Sequence, residues 1–80
     1  MKTFVARAER RPVNLRGYAL GPNRDSDILV ADLSYTGCQI RCDEALKAGE
    51  IVELRVVKRG AIDAEIRWAA KGLAGAKFLN

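Results

Sequence analysis

The strongest constraint in this chain is an alternation of apolar and polar residues with a period of two, broken by turn residues about every ten positions. In Ala61–Trp68, Ile62, Ala64, Ile66 and Trp68 point one way and Asp63, Glu65 and Arg67 the other. Ile51–Val57 repeats the pattern, with Val52, Leu54 and Val56 opposed by Glu53 and Arg55. Successive side chains of a strand leave by opposite faces, so each run suits a half-buried strand. Lys58-Arg59-Gly60 between them has the length and the glycine of a three-residue hairpin loop. Gly37–Cys42 sets Cys38, Ile40 and Cys42 against Gln39 and Arg41. Val13–Leu20 reads as the first strand, ended by the turn residues Gly21–Asp25. Asp27–Leu33 is a mostly apolar run suited to cover on both faces, and Ala74–Phe78 is a short last strand after the turn at Lys71–Gly75. Asp43–Gly49, with Asp43 as N-cap, suits either a helix of one turn and a half or a loop. Six short strands predict an all-β, six-stranded antiparallel barrel, because closing the sheet removes its exposed edges. Inward parity assigns Trp68 and Phe78 to the core.

Eighty residues fit one domain with a small core, since a chain this short buries roughly 60–65% of its unfolded surface. Ordinary apolar content with scattered Gly and Pro argues against disorder. No apolar run approaches a membrane span and no cleavable leader is recognisable, so a soluble, cytoplasmic domain is expected. Cys38 and Cys42 are four positions apart. On one strand that spacing is about 13 Å, beyond the reach of a disulfide. With no histidine in the chain, two thiols also fall short of a structural zinc site. Reduced core thiols are expected, with no metal, no cofactor and no catalytic residue. An enzyme is the least favoured class, because neither thiol has an evident base beside it.

The charge is unevenly spread. Residues 1–16 carry Lys2, Arg7, Arg10, Arg11 and Arg16 against Glu9, or 5 − 1 = +4. Residues 17–80 carry nine cationic and nine acidic side chains and sum to zero. A neutral body with a cationic leader implies a local anion site, or simply a solubilising tail. Residues 1–12 do not alternate and contain Pro12, which has no amide proton for a central ladder. They are expected to form a basic arm outside a barrel of residues 13–80, mobile until something holds it.

Two short patterns carry the functional reading. Asp32-Leu33-Ser34-Tyr35-Thr36-Gly37 joins the second and third strands. As a plain turn, Ser34 would bond within it and Gly37 would take the positive φ that other residues avoid. As a site, Asp32 and Ser34 share parity, and two acceptors beside turn amides suit the donor edge of a base. Tyr35, at the tip, is the best candidate for an exposed functional aromatic, while Tyr18 is unassigned. On the arm, Arg7 and Arg11 are spaced RxxxR; arginine forks grip phosphate bidentately and stack on π-systems.

The order of these features, RxxxR before the first strand and DxSxxG at the second hairpin, resembles the PilZ domain family of small bacterial β-barrels that bind cyclic di-GMP. The resemblance runs from Arg7 to Phe78 and includes the strand ending in Trp68 and the closing Gly75-Ala76-Lys77-Phe78. It implies that Arg7 and Arg11 grip the phosphates and stack over guanine, with Arg10 adding a phosphate contact. It further implies that Asp32 and Ser34 bond a guanine edge and that Gly37 lets the turn backbone approach closely. Ala6, ahead of the arginines, would not obstruct a stacked pair of nucleotides. On this resemblance the extra C-terminal helix and attached output domain of many relatives are expected to be missing. A stand-alone receptor that signals to an unidentified protein partner is therefore expected. Two rivals stand beside it. One is a PilZ-fold adaptor that binds no nucleotide. The other is a nucleic-acid-binding barrel, against which the neutral body and the lack of an exposed aromatic row weigh.

Overall fold

A computed structural model describes residues 11–79, with Arg11 described by its backbone alone. They form β1 (Arg11–Gly21), β2 (Arg24–Leu33), β3 (Gly37–Arg41), β4 (Ile51–Val56), β5 (Gly60–Ala70) and β6 (Leu73–Phe78). All neighbours pair antiparallel, and the sheet closes in the order β1-β2-β3-β6-β5-β4. The six-stranded barrel expected from the alternation is the one observed, and the described residues contain no helix. Arg7 and Arg10 lie outside the described residues. The first strand starts earlier than expected and takes in Arg11 and Pro12. Proline is tolerated there because the register of β1 with β4 covers Gly17–Leu20 only, so Pro12 lies where β1 pairs with β2 alone.

The interior mixes large and small side chains because six strands enclose a narrow lumen. Ile40, Leu54 and Ile66 are fully buried and fill it, while Ala19, Ala64, Ala74 and Ala76 leave them room. Burying each large aliphatic side chain contributes about 1.5–3 kcal/mol, so this set supplies much of the driving force for so short a chain. Cys38 and Cys42 are buried thiols outside any disulfide.

Three irregularities reset the alternation. Val13 and Asn14 oppose the single residue Ala31 across β1 and β2, and Ala31 is itself the extra residue of β2 against β3. Ser26, Ile28 and Val30 are buried. Unbroken alternation would send Asp32 inward after them. The bulge instead pairs Leu33 with buried Cys38, and Leu33 packs on the core while Asp32 opposes Gln39. The third irregularity is at Arg67, between the pairs Ile66↔Ala76 and Trp68↔Gly75. It corrects the placement of Trp68 in the core: Ile66 is fully buried, but Trp68 is 45% exposed. Phe78 is half-buried and packs against the core, in line with its parity.

β3 and β4 are not neighbours, so residues 42–50 must cross one end of the barrel. They do so as an irregular loop with a turn at residues 48–49, which resolves the choice left open at Asp43–Gly49. A helix of one turn and a half is too short to hold itself, and the barrel offers better partners. Cys42 N–H donates to the Gly72 carbonyl at 2.9 Å, Gly49 N–H to Ile66 at 2.6 Å, and Ile66 N–H to Glu50 at 2.8 Å. Leu46, only 8% exposed, plugs this end. Arg24 locks the loop down: its Nε donates to Glu50 Oε2 at 2.5 Å and its guanidinium to the Ala45 carbonyl at 2.7 Å and Ser26 Oγ at 3.1 Å. Ser26 Oγ in turn donates to Glu44. Here Lys71 and Gly72 both take positive φ, 54° and 81°, in the two-residue turn between β5 and β6.

Candidate functional site

The opposite end carries the β2–β3 turn, the β4–β5 turn at residues 57–59, the start of β1 and the end of β6. Ser34 closes the first of these. Its N–H and its hydroxyl both donate to the Gly37 carbonyl, at 2.9 and 3.2 Å, and Oγ accepts from Thr36 N–H at 3.3 Å. The Thr36 carbonyl accepts from Phe78 N–H at 2.8 Å, which ties the turn to β6. Tyr35 is 92% exposed at the tip, as expected of it.

Gly37 is not among the residues with positive φ, so the conformational role expected in a plain turn is corrected. The need for glycine is steric. A Cβ on Gly37 would collide with the Ala76 carbonyl, because β3 and β6 approach closely here.

Register brings the last residue of one sequence pattern beside the other. Arg11, the last residue of RxxxR, opposes Leu33, the residue between Asp32 and Ser34, and Pro12 opposes Asp32. On the barrel's outer face a cross-strand row then runs from Pro12 through Asp32, Gln39 and Gly75 to Trp68, one residue from each of β1, β2, β3, β6 and β5. Beside it lies a concavity of about 240 Å³ whose lining includes Ser34, Thr36, Gly37, Arg67, Trp68 and Lys77. A larger cavity of about 620 Å³ occupies the mouth of the barrel, with apolar walls from Val30, Leu33, Leu54, Ile62 and Phe78. It shares Ser34 and Tyr35 with the turn but does not include Asp32. Arg59 also lines the larger cavity, and Arg67 and Lys77 line the outer concavity, so each has cationic side chains at its wall.

Trp68 is the residue of this face that the parity of its strand had assigned to the core. Gly75, inside the short last strand, was a partial signal: a strand position without a side chain leaves space for a large neighbour. Among the described residues no cluster of three or more His, Cys, Asp or Glu gathers to hold a metal.

The sequence model of the PilZ domain matches residues 5–80. The chain belongs to the PilZ domain family. That match takes in all but the first four residues, and with it come the barrel just described and the family's role as a cyclic di-GMP receptor domain. No curated protein matches the chain.

Proposed function

We propose that this PilZ domain binds cyclic di-GMP between its N-terminal RxxxR segment and its DxSxxG turn, and passes the signal to a protein partner. Arg7 and Arg11 take the phosphates, assisted by Arg10. Asp32 and Ser34 accept from a guanine edge, and Gly37 keeps the backbone of β3 close to β6. The observation that carries this reading is the register of β1 on β2, in which Arg11 and Pro12 oppose Leu33 and Asp32. The last residue of RxxxR and the start of DxSxxG, about twenty residues apart in the chain, are thereby neighbours at one end of the barrel. The charge distribution supports it as well, since the whole net charge of +4 lies in residues 1–16 and the ligand is doubly anionic.

Charge-assisted hydrogen bonds contribute roughly 1.5–3 kcal/mol each, so the loss of one lowers affinity about ten- to a hundredfold. Calorimetric titration with cyclic di-GMP is therefore expected to show binding by the wild type and a loss of that size in Arg7→Ala and in Asp32→Ala. Amide shifts should concentrate at residues 32–37. Equal affinity in all three proteins would exclude the assigned roles. One observation favours the adaptor reading instead: Ser34 Oγ is already engaged within its own turn. A wild-type titration with no heat and no shift at the turn would decide for that reading.

A further inference from the structure

Leu46 plugs one end of the lumen, but no side chain among the described residues does so at the other. There Leu33, Val56, Ile62 and Phe78 pack against the core yet are only partly buried. With the fully buried Val30 and Leu54 they wall the cavity of about 620 Å³. An apolar cavity of roughly 150 Å³ already takes up a benzene ring, so this one has room for more than one side chain.

The chain carries side chains suited to it. Residues 1–10 lie outside the described residues, and among them Phe4 and Val5 are the one adjacent pair of large apolar side chains. The pair precedes β1, whose first residue, Arg11, opposes Leu33 on the cavity wall. Val5 is six positions before Arg11, a reach of up to about 20 Å, whereas one strand spacing of about 5 Å separates Arg11 from Leu33. Glu9, the only acidic residue of that leader, falls in the stretch between. Arg59 on the cavity wall has no carboxylate within ion-pair distance among the described residues, so the charges match as well.

We infer that Phe4 and Val5 seat in the open mouth of their own barrel, as Leu46 does at the opposite end. The pair and the cavity walls both leave water, and closing so short a stretch costs little entropy. Once seated, the leader is tied at both ends, and Arg7 is held beside the rim to which Ser34 and Tyr35 belong. The inference does not rest on the nucleotide reading, and it gives the leader an anchor outside both sequence patterns.

Proton spectra of the full chain, taken without nucleotide, test it. Ring protons of Phe4 are expected to show nuclear Overhauser contacts with the methyl groups of Leu33, Leu54 and Ile62. Phe4→Ala should shift those methyl signals and leave the methyls of Leu46, at the other end, unmoved. Phe4→Leu, which keeps an apolar side chain, should retain contacts to the same three residues. Absence of any contact from Phe4 or Val5 to these methyls, with the signals unmoved in Phe4→Ala, overturns the inference. Contacts found only between labelled and unlabelled chains in a mixed sample also overturn it, in favour of a second copy in the mouth. With no nucleotide present, either failure leaves the proposed function standing, and a failed titration with cyclic di-GMP would leave the seat standing.

Discussion

The two ends of the barrel treat polar groups in opposite ways. At the closed end Arg24 is held by Glu50, Ser26 and the Ala45 carbonyl, and Leu46 plugs the lumen beneath the crossing loop. The charges there answer to one another. At the open end Ser34 and Thr36 satisfy a tight turn, Tyr35 stands in solvent, and Arg67 and Lys77 flank an outer concavity. One end stabilises the fold; the other presents chemistry outward. The lesson is that a basic residue in a small barrel is informative only once its partners are known, since Arg24 and Arg67 look alike in the chain.

Substitutions that separate the ends sharpen this contrast. The largest expected effect is at Leu46. Leu46→Ala should lower stability by about 2–5 kcal/mol in urea unfolding, through lost burial and the cavity left behind, without changing nucleotide affinity of the folded protein. A matching loss of affinity would break the division between the ends.

Next comes Arg24→Ala, which leaves the Glu50 carboxyl with the N–H of Lys47 and should cost about 1–3 kcal/mol near neutral pH. The effect depends on pH in a definite direction. The hydrogen bond from Arg24 holds the Glu50 carboxyl below its usual range, outweighing the opposing effect of burial. The pair's contribution is thus complete above the ordinary glutamate pKa of about 4.3 and fades as pH falls through the lower folded value. Stability curves of wild type and Arg24→Ala should converge in acid; a constant gap down to the lowest pH would count against the clasp.

The smallest change is expected at the open end. Tyr35→Ala should shift stability by no more than about 0.5 kcal/mol, because the ring is almost wholly exposed. A larger loss in the same urea assay would show that the open end also bears on the fold.

The strands were legible because alternation is a local property. Ile51–Val56 and Gly60–Ala70 differ little from the runs read in the chain, and Leu54, Ala64 and Ile66 are buried as their parity requires. The DxSxxG turn was equally legible, since Asp32 and Gly37 lie within six residues. The bulges could not be read. Ala31 is small enough to sit on either side of the sheet, so nothing local marks it as the extra residue that turns Asp32 away from Val30. Arg67 marks itself no better, because a bulge there leaves the apolar-polar order intact up to Ile66 and moves only the residues after it. The loop over residues 42–50 was ambiguous for another reason: its best partners, Ile66 and Gly72, are remote in sequence.

Periodicity was therefore sufficient for the architecture and for most of the buried set, with Trp68 the exception. The row joining Asp32 to Trp68 needed the closed sheet. A strand's own pattern says which residues share a face, but a single inserted residue exchanges the faces, and only pairing with neighbours on both sides settles where that exchange occurs.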